Sequence, residues 1–345
     1  MTTSATQRQA AASVKSRPPR IADRLPAEGE NGVFTESWFP LCKSSEIAPG
    51  EMRGFGFLDG RVVVMRDRQG EVHVLSAYCP HVGADLSVGK VVGDQIQCAF
   101  HEWRFNTDGY VAATAIGDPA PKACLFKYPS ADKYGVIWAF NGETPWWEIP
   151  DFDKPADALA IRVEYDVPIY PIDPWVICAN TPDWQHIKIV HKIAFDHKQY
   201  RDCLVWNNYS MQGRLDGYYT DNKGGALETK AGIFGTSIFM MQGNIGGRWI
   251  GVMTPFGIPK PGHTSTYFIL ATEKGDGSPA DQQIVDQTLA GLYHLAKVQV
   301  GEDKPILRTI KYAPGYLTAS DAMLAKYLKL VREFPRSHAG GEYIR

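Results

Sequence analysis

Between residues 34 and 148 the chain reads as short apolar or alternating runs broken by Gly and Asp. Residues 38–42, 52–60, 61–67, 71–79 and 124–142 each fit one or two strands of a few residues, with turn formers between them. That is the pattern of an all-β module. Pro145, Pro150 and Pro155 then cluster and predict a boundary near residue 150. Beyond it the periods mix. Residues 164–192 begin extended and turn helical near Trp184, and 230–244, 248–258 and 265–274 read as strands. Between 281 and 300, Ile284, Val285, Thr288, Leu292, Leu295 and Ala296 fall near one face of a helix. A last amphipathic helix is expected over 321–334, with Ser320 as its N-cap. An antiparallel sheet gripping a long helix is the simplest assembly of these parts, which makes the class α+β. The expected organisation is a first domain over 34–149 and a second over 150–345. Residues 1–33 are poor in apolar side chains and are expected to form a mobile, solvated extension.

Composition narrows the function classes. A chain of 345 residues has room for two domains with cores. A net charge of −2 offers no electrostatic case for nucleic acid or an anionic membrane. No apolar run approaches a membrane span. Of the six cysteines, Cys42, Cys124, Cys178 and Cys203 are scattered without paired spacing, which predicts reduced thiols and a cytoplasmic protein.

The other two cysteines carry chemistry. Cys79-Pro-His81 is followed, after sixteen intervening residues, by Cys98-Ala-Phe-His101. Each short loop offers one thiolate and one imidazole. Zinc accepts such donors, but zinc sites usually place like ligands together. The mixed loops suit a two-iron cluster in which two Cys hold one iron and two His the other. Cys79 and Cys98 would take the inner iron, and His81 and His101 the outer one, near the surface. Gly83, Gly89 and Gly93 permit the tight turns that bring backbone N–H groups to the sulfides. Trp103 and Phe105 follow directly and would wall the cluster from water. This stretch resembles the Rieske domain of the Rieske non-haem iron oxygenases.

A second run, 180–191, holds Asn180, Asp183, His186 and His191. Taken alone, two His near a helix are more often surface or core residues than ligands. Asp183 and His186 are three apart and share a helix face. His191 is five after His186, so bringing both imidazoles onto one ion predicts a widened, π-type turn. Asp183-x2-His186-x4-His191 is similar to the mononuclear iron motif of the same family. The resemblance implies a distant carboxylate as third ligand: Asp303, with adjacent Glu302 as the alternative. On the residues alone, Asp303 also reads as a helix N-terminal acid ahead of Pro305. Two His and one carboxylate would leave one face of Fe(II) open for O₂ and substrate.

Further expectations come with the resemblance. Asp183 would bridge His186 to His101 of a neighbouring subunit in a head-to-tail homotrimer. Asn180 would tune the iron site. Electrons would arrive from NAD(P)H through a reductase and/or ferredoxin to a [2Fe-2S] cluster and then to mononuclear Fe(II). The implied activity is that of a terminal oxygenase component. It would monooxygenate, by hydroxylation or oxidative demethylation, a mainly hydrophobic small molecule, aromatic or steroid-like. The tail 302–334 is similar to ketosteroid hydroxylases and, at greater distance, to aromatic O-demethylases, and it departs from the ketosteroid pattern at Leu328–Arg332. The apolar stretch 232–256 is a candidate pocket wall, with Asn244 and His294 as candidate polar contacts to substrate. The competing reading is a Rieske-type electron carrier fused to a ligand-binding domain. It would hold two irons and need no Asp303.

Overall fold

The computed structural model describes residues 24–221, 225–313 and 315–345. Residues 1–23 of the expected extension lie outside these. Residues 24–33 are not a free tail. Glu28 is buried, its carboxylate accepts from the Thr35 N–H at 2.9 Å and the Thr35 hydroxyl at 3.0 Å, and its own N–H donates to Asp173 at 3.0 Å. A buried, hydrogen-bonded acid fixes this segment where apolar content alone predicts mobility.

The N-terminal domain is built from three antiparallel sheets. One joins Ser130–Lys133, Val136–Phe140 and Trp38–Lys43; another joins Lys127–Tyr128, Val72–Ser76, Gly60–Arg66 and Met52–Phe57. The third joins Lys90–Val92, Gln95–Gln97, Arg104–Phe105 and Val111–Ala113, and carries the Cys/His loops. The strand Gly60–Arg66 runs apolar without alternation because both of its faces are covered. Val62 and Val64 enter the core of Phe39, Phe57 and Tyr128, and Val63 and Met65 enter the core beneath Cys79 and Cys98.

The second domain is organised on one long antiparallel sheet. Its order is Leu159–Tyr170, His263–Glu273, Arg248–Lys260, Ile238–Ile245, Ala226–Phe234, Ser210–Tyr219 and Ile193–Phe195, with Val205–Trp206 also paired to Ser210–Tyr219. The apolar stretch expected as one strand over 230–244 is a hairpin, turning at Gly235, whose φ is +59°. Both faces of the sheet are buried. Phe268 and Leu270 face the long helix, whereas Tyr267, Ile269 and Ala271 join Trp38, Trp138 and Phe140 of the N-terminal domain in one core.

That shared core crosses the boundary placed near 150. The chain end crosses it again: Arg336–Ser337 pairs with Phe34–Thr35, and Ile344 is fully buried beside Phe39 and Phe57. Residues 336–345 therefore pack with the first domain, although their position in sequence assigns them to the second.

The long helix spans Pro279–Leu307, well past the predicted 300, and starts at Ser278, whose hydroxyl accepts from the Asp281 N–H. Its buried stripe is Val285, Leu289, Leu292, Ala296, Asp303 and Leu307. Ile284, expected on that face, is exposed, while Leu289 takes its place. The last helix is Ala322–Glu333, and Ser320 does not cap it. A 3-10 turn, Ala319–Asp321, intervenes, and the buried Asp321 carboxylate accepts from the Thr318 N–H at 2.7 Å and from Gln185 Nε2 at 2.9 Å. No helix among the described residues is long and apolar enough to cross a membrane.

Candidate metal centres

The two Cys/His loops are copies of one turn. In each, the Cys N–H donates to the carbonyl five residues on (Cys79 to Ala84, Cys98 to Trp103, both 2.9 Å), and its carbonyl accepts from the N–H four residues on. The residue that closes the turn is left-handed both times: Gly83 at φ +81° and Glu102 at φ +54°. Glycine adopts that conformation freely; Glu102 adopts it under strain, of the kind that persists at functional turns. Each Cys sits at the buried root of its loop and each His at the exposed tip. The rings of His81 and His101 lie 4.6 Å apart, and Trp103 stacks on His81 at 4.4 Å. Phe105 is fully buried in the core below. Burial pushes the Cys79 thiol up to about 11, the nearby Cys98 adds to the rise, and the His81 and Val82 N–H groups aimed at the sulfur oppose it. Two buried thiols backed by amides, with two imidazoles rimming the opening, suit an iron–sulfur cluster that displaces the thiol protons.

In the second domain His186, His191 and Asp303 converge, their ligand atoms all within 4.8 Å of one another. His186 Nε2 lies 2.9 Å from His191 Nε2 and 3.2 Å from Asp303 Oδ1. The expected widened turn is absent. The helix Trp184–Ile189 stays regular, Val190 N–H donating to the His186 carbonyl at 2.8 Å, and then ends. His191 follows the helix, next to left-handed Lys192 at φ +58°, so the chain swings the second imidazole back to the first. Termination of the helix, not a bulge within it, solves the five-residue spacing.

The two adjacent acids take different positions. Asp303 Oδ1 faces both Nε2 atoms, whereas Glu302 Oε2 pairs with His191 Nδ1 at 2.9 Å, on the ring's other side. Asn180 Nδ2 donates to Asp303 Oδ2 at 3.2 Å. Asp183 is the N-cap of the short helix: its Oδ1 accepts from the His186 backbone N–H at 3.0 Å, not from the imidazole. The histidines shift in opposite directions. For His186, burial lowers the pKa and outweighs the Asp303 carboxylate; for His191, burial is outweighed by Asp303 and Glu302, and the pKa rises. Asp303 Oδ1 is itself buried without a hydrogen bond. Three Lewis bases turned inward, one an orphaned carboxylate oxygen, fit a divalent metal better than they fit one another.

The triad forms part of the wall of a mainly apolar cavity of about 150 Å³, whose other polar lining residues include Asn180, Thr254, Thr266 and Gln299. Sheet residues Val252, Phe256 and Phe268 line one side, Leu292, Leu295 and Ala296 of the long helix another, with Ile187 and Tyr200 nearby. The two polar contacts expected from sequence lie elsewhere. Asn244 is exposed at the end of its strand, on the face opposite cavity residues Phe239 and Met241. His294 is exposed because nine residues before Asp303 is about 900° of helix, half a turn off its face.

Residues 37–129 match the Rieske [2Fe-2S] domain family. The chain carries a Rieske domain. A cholesterol 7-desaturase of Ciona intestinalis is 33% identical over 148 residues, 41% of this chain and 30% of that protein. The oxygenase component of 3-ketosteroid-9-alpha-monooxygenase from Rhodococcus rhodochrous is 30% identical over 129 residues, 37% of this chain and 32% of its own length. The chain thus spans about a third of the length of these relatives.

Fold similarity runs further. NdmA of Pseudomonas putida CBB5, solved with caffeine, superposes with a TM-score of 0.65 over 86% of this chain and 89% of its own, at 20% identity. Dicamba monooxygenase bound to dicamba gives 0.64 over 87% and 97%, at 17% identity. The Rieske domain followed by a long antiparallel sheet and helix is therefore the fold of these oxygenases. Its two centres, a [2Fe-2S] cluster and a non-haem iron, suit the two donor sets found here.

Three residues near the site escaped sequence reasoning in their roles: Glu302 as the partner of His191, and Tyr200 and Thr266 in the cavity wall. Thr266 carries a readable signal, a polar residue sharing strand parity with buried Phe268 and Leu270.

Proposed function

We propose that the chain is the terminal oxygenase component of a Rieske oxygenase system. It takes electrons originating in NAD(P)H, through a reductase and/or ferredoxin, and uses O₂ to monooxygenate a mainly hydrophobic small molecule by hydroxylation or oxidative demethylation. One observation carries this reading: His186, His191 and Asp303 converge on the wall of an apolar cavity in a chain that also carries Rieske loops. Iron held by these three side chains and a cluster held by Cys79, His81, Cys98 and His101 would supply the oxygen and one-electron chemistry.

The chain's own residues do the rest. Glu302 accepts from His191 Nδ1, which turns Nε2 toward the metal position. Asn180 steadies the Asp303 carboxylate from behind. Asp183 caps the helix that carries His186 and keeps its second oxygen for a partner. The apolar walls exclude water and orient a hydrophobic ligand. His81 and His101 are exposed, beside exposed Val82 and Phe100, which supports docking of another protein there: an electron donor, or a neighbouring copy in a head-to-tail homotrimer.

The test is reconstitution with a surrogate reductase, NADH and ¹⁸O₂, over methoxyaromatics, N-methyl heterocycles and steroids. The expected result is three irons per chain and a product carrying one labelled oxygen, or formaldehyde released from a methyl group. Two irons per chain with no oxygen-dependent product would leave only an electron carrier. An unlabelled product short of two hydrogens would place the reaction with the desaturases.

A further inference from the structure

The helix that presents His186, Trp184–Ile189, is only six residues long. A helix so short has little stability of its own and takes its position from what it touches. Trp184 and Ile187 set its inner side, buried in the core formed by the sheet and the long helix. Apolar contacts are non-directional, so they hold the helix down without fixing its rotation. A directional contact comes from Gln185, the residue before His186. Its Nε2 donates to Asp321 Oδ1 at 2.9 Å, with the Thr318 hydroxyl further off at 3.4 Å.

Asp321 is itself held fast. It is buried, and its other oxygen, Oδ2, accepts from the Thr318 N–H at 2.7 Å and the Thr318 hydroxyl at 2.8 Å. It stands where the turn Ala319–Asp321 passes into the last helix, Ala322–Glu333. That helix is anchored in turn: Tyr327, Leu328 and Val331 share a buried core with Trp175, Val176 and Cys178, just ahead of Asn180. Tyr327 also donates its hydroxyl to the Trp175 carbonyl at 3.3 Å. The last helix and its entry turn thus grip the run 175–186 twice, by apolar packing before Asn180 and by a carboxylate beside His186.

We propose that Gln185 and Asp321 are a positioning pair for the metal site. Their hydrogen bond fixes the rotation of the helix Trp184–Ile189 and so the direction in which His186 offers its imidazole. Neither residue belongs to the donor set or lines the cavity, so neither is catalytic. The proposal rests on the iron site of the oxygenase reading and is independent of which substrate is oxidised.

The test is a reciprocal exchange. Gln185→Glu sets carboxylate against carboxylate and breaks the bond. Asp321→Asn alone keeps it, because the Gln185 amide can turn and accept where it donated. The two substitutions together restore it in the opposite sense, with the introduced amide donating to the introduced carboxylate. Gln185→Leu deletes the bond without adding charge. Each protein, with its cluster intact, is loaded anaerobically with Fe(II) and dialysed against graded chelator, and the site geometry is read from the EPR signal of its nitric oxide adduct. Gln185→Glu and Gln185→Leu should release the third iron at about tenfold lower chelator activity than the parent, the low end of what outer partners of a metal site contribute, with an altered EPR line shape. Asp321→Asn and the double variant should match the parent in both. A merely structural bond would lower the melting temperature of Gln185→Leu and leave its iron affinity and EPR signal unchanged. That result overturns the proposal, as does a double variant no better than Gln185→Glu. A parent that takes up only two irons would remove the metal site and the pair with it; a loaded parent beside an equally loaded Gln185→Leu removes the pair alone.

Discussion

Exchanging two neighbouring acids for their amides separates a metal ligand from its support. Asp303 Oδ1 lies 3.2 Å and 3.5 Å from the Nε2 atoms of His186 and His191, whereas Glu302 Oε2 lies 2.9 Å from Nδ1 of His191. Asp303→Asn removes the one anionic donor of the triad. Glu302→Gln leaves all three donors and weakens only the hold on one imidazole. Loss of such outer support typically lowers metal affinity about tenfold to a hundredfold, or about 1.4–2.7 kcal/mol. A hydrogen bond to a charged group contributes about 1.5–3 kcal/mol, so the two scales agree. The Glu302 side chain is 27% exposed, and solvent screening favours the lower end, near tenfold. The assay is dialysis against a graded series of chelator, reading iron per chain while the visible spectrum monitors the cluster. Glu302→Gln should release the third iron at about tenfold lower chelator activity than the parent, and Asp303→Asn should never hold it. If Glu302→Gln empties the site and Asp303→Asn stays loaded, the assignment of the two acids is inverted and the reasoning fails.

Other expectations follow from the same geometry. Asp183→Asn keeps an oxygen able to cap the helix through the His186 N–H, so three irons should remain while turnover falls steeply; unchanged turnover would show that the carboxylate charge has no part in the reaction. Burial raises Glu28 from 4.5 to about 7 against the opposing pull of Arg336, so it binds its proton more tightly folded than unfolded. Its contribution is complete below pH 4.5 and is lost as pH rises through about 7, a fall of about 3 kcal/mol. Denaturant unfolding from pH 5 to 8 should show that fall in the parent and a flatter profile in Glu28→Gln; parallel profiles would refute it. Trp138 is fully buried in the core shared by both domains, so Trp138→Ala should cost about 3–5 kcal/mol in one cooperative transition, and two separate transitions would mean the domains fold independently.

Local spacing pointed to the Cys/His loops and the 183–191 run, because a turn of four to six residues brings its own ends together; Asp303, far along the chain, carried no local mark and was reached only through the family resemblance. The mixed Cys/His loops and the 183–191 run are such segments, and their geometry needs little from the rest of the fold. Less legible were features set by distant packing. Glu28 gives no apolar signal, yet it joins Thr35, Asp173 and Arg336, which lie far apart in sequence. The return of residues 336–345 to the first domain rests on a two-residue strand pair and on Ile344, too short a pattern to read. Asn244 and His294 are a different case. Strand parity with Met241 and helix phase with Asp303 were present in the sequence and, applied strictly, exclude both from the cavity. Ending the helix before His191 would likewise have removed the need for a widened turn, but the lysine that follows carries no mark of a left-handed backbone.

The strand His263–Glu273 shows how one element serves two ends at once. Its odd residues hold the domains together: Tyr267 donates its hydroxyl to the Leu41 carbonyl at 2.8 Å, and Ile269 and Ala271 are fully buried against the Rieske side. Its even residues Thr266 and Phe268 line the cavity. The pleat puts adjacent residues on opposite faces, so the chemistry of the pocket can change at even positions without disturbing the odd ones. The long helix divides its labour in a similar way: Leu292, Ala296 and Asp303 recur at seven- and eleven-residue offsets, so the side chains that bury the sheet and the one that faces the histidines share a single stripe. A ligand in this cavity therefore touches the element that carries the third metal donor and the strand that anchors the cluster domain.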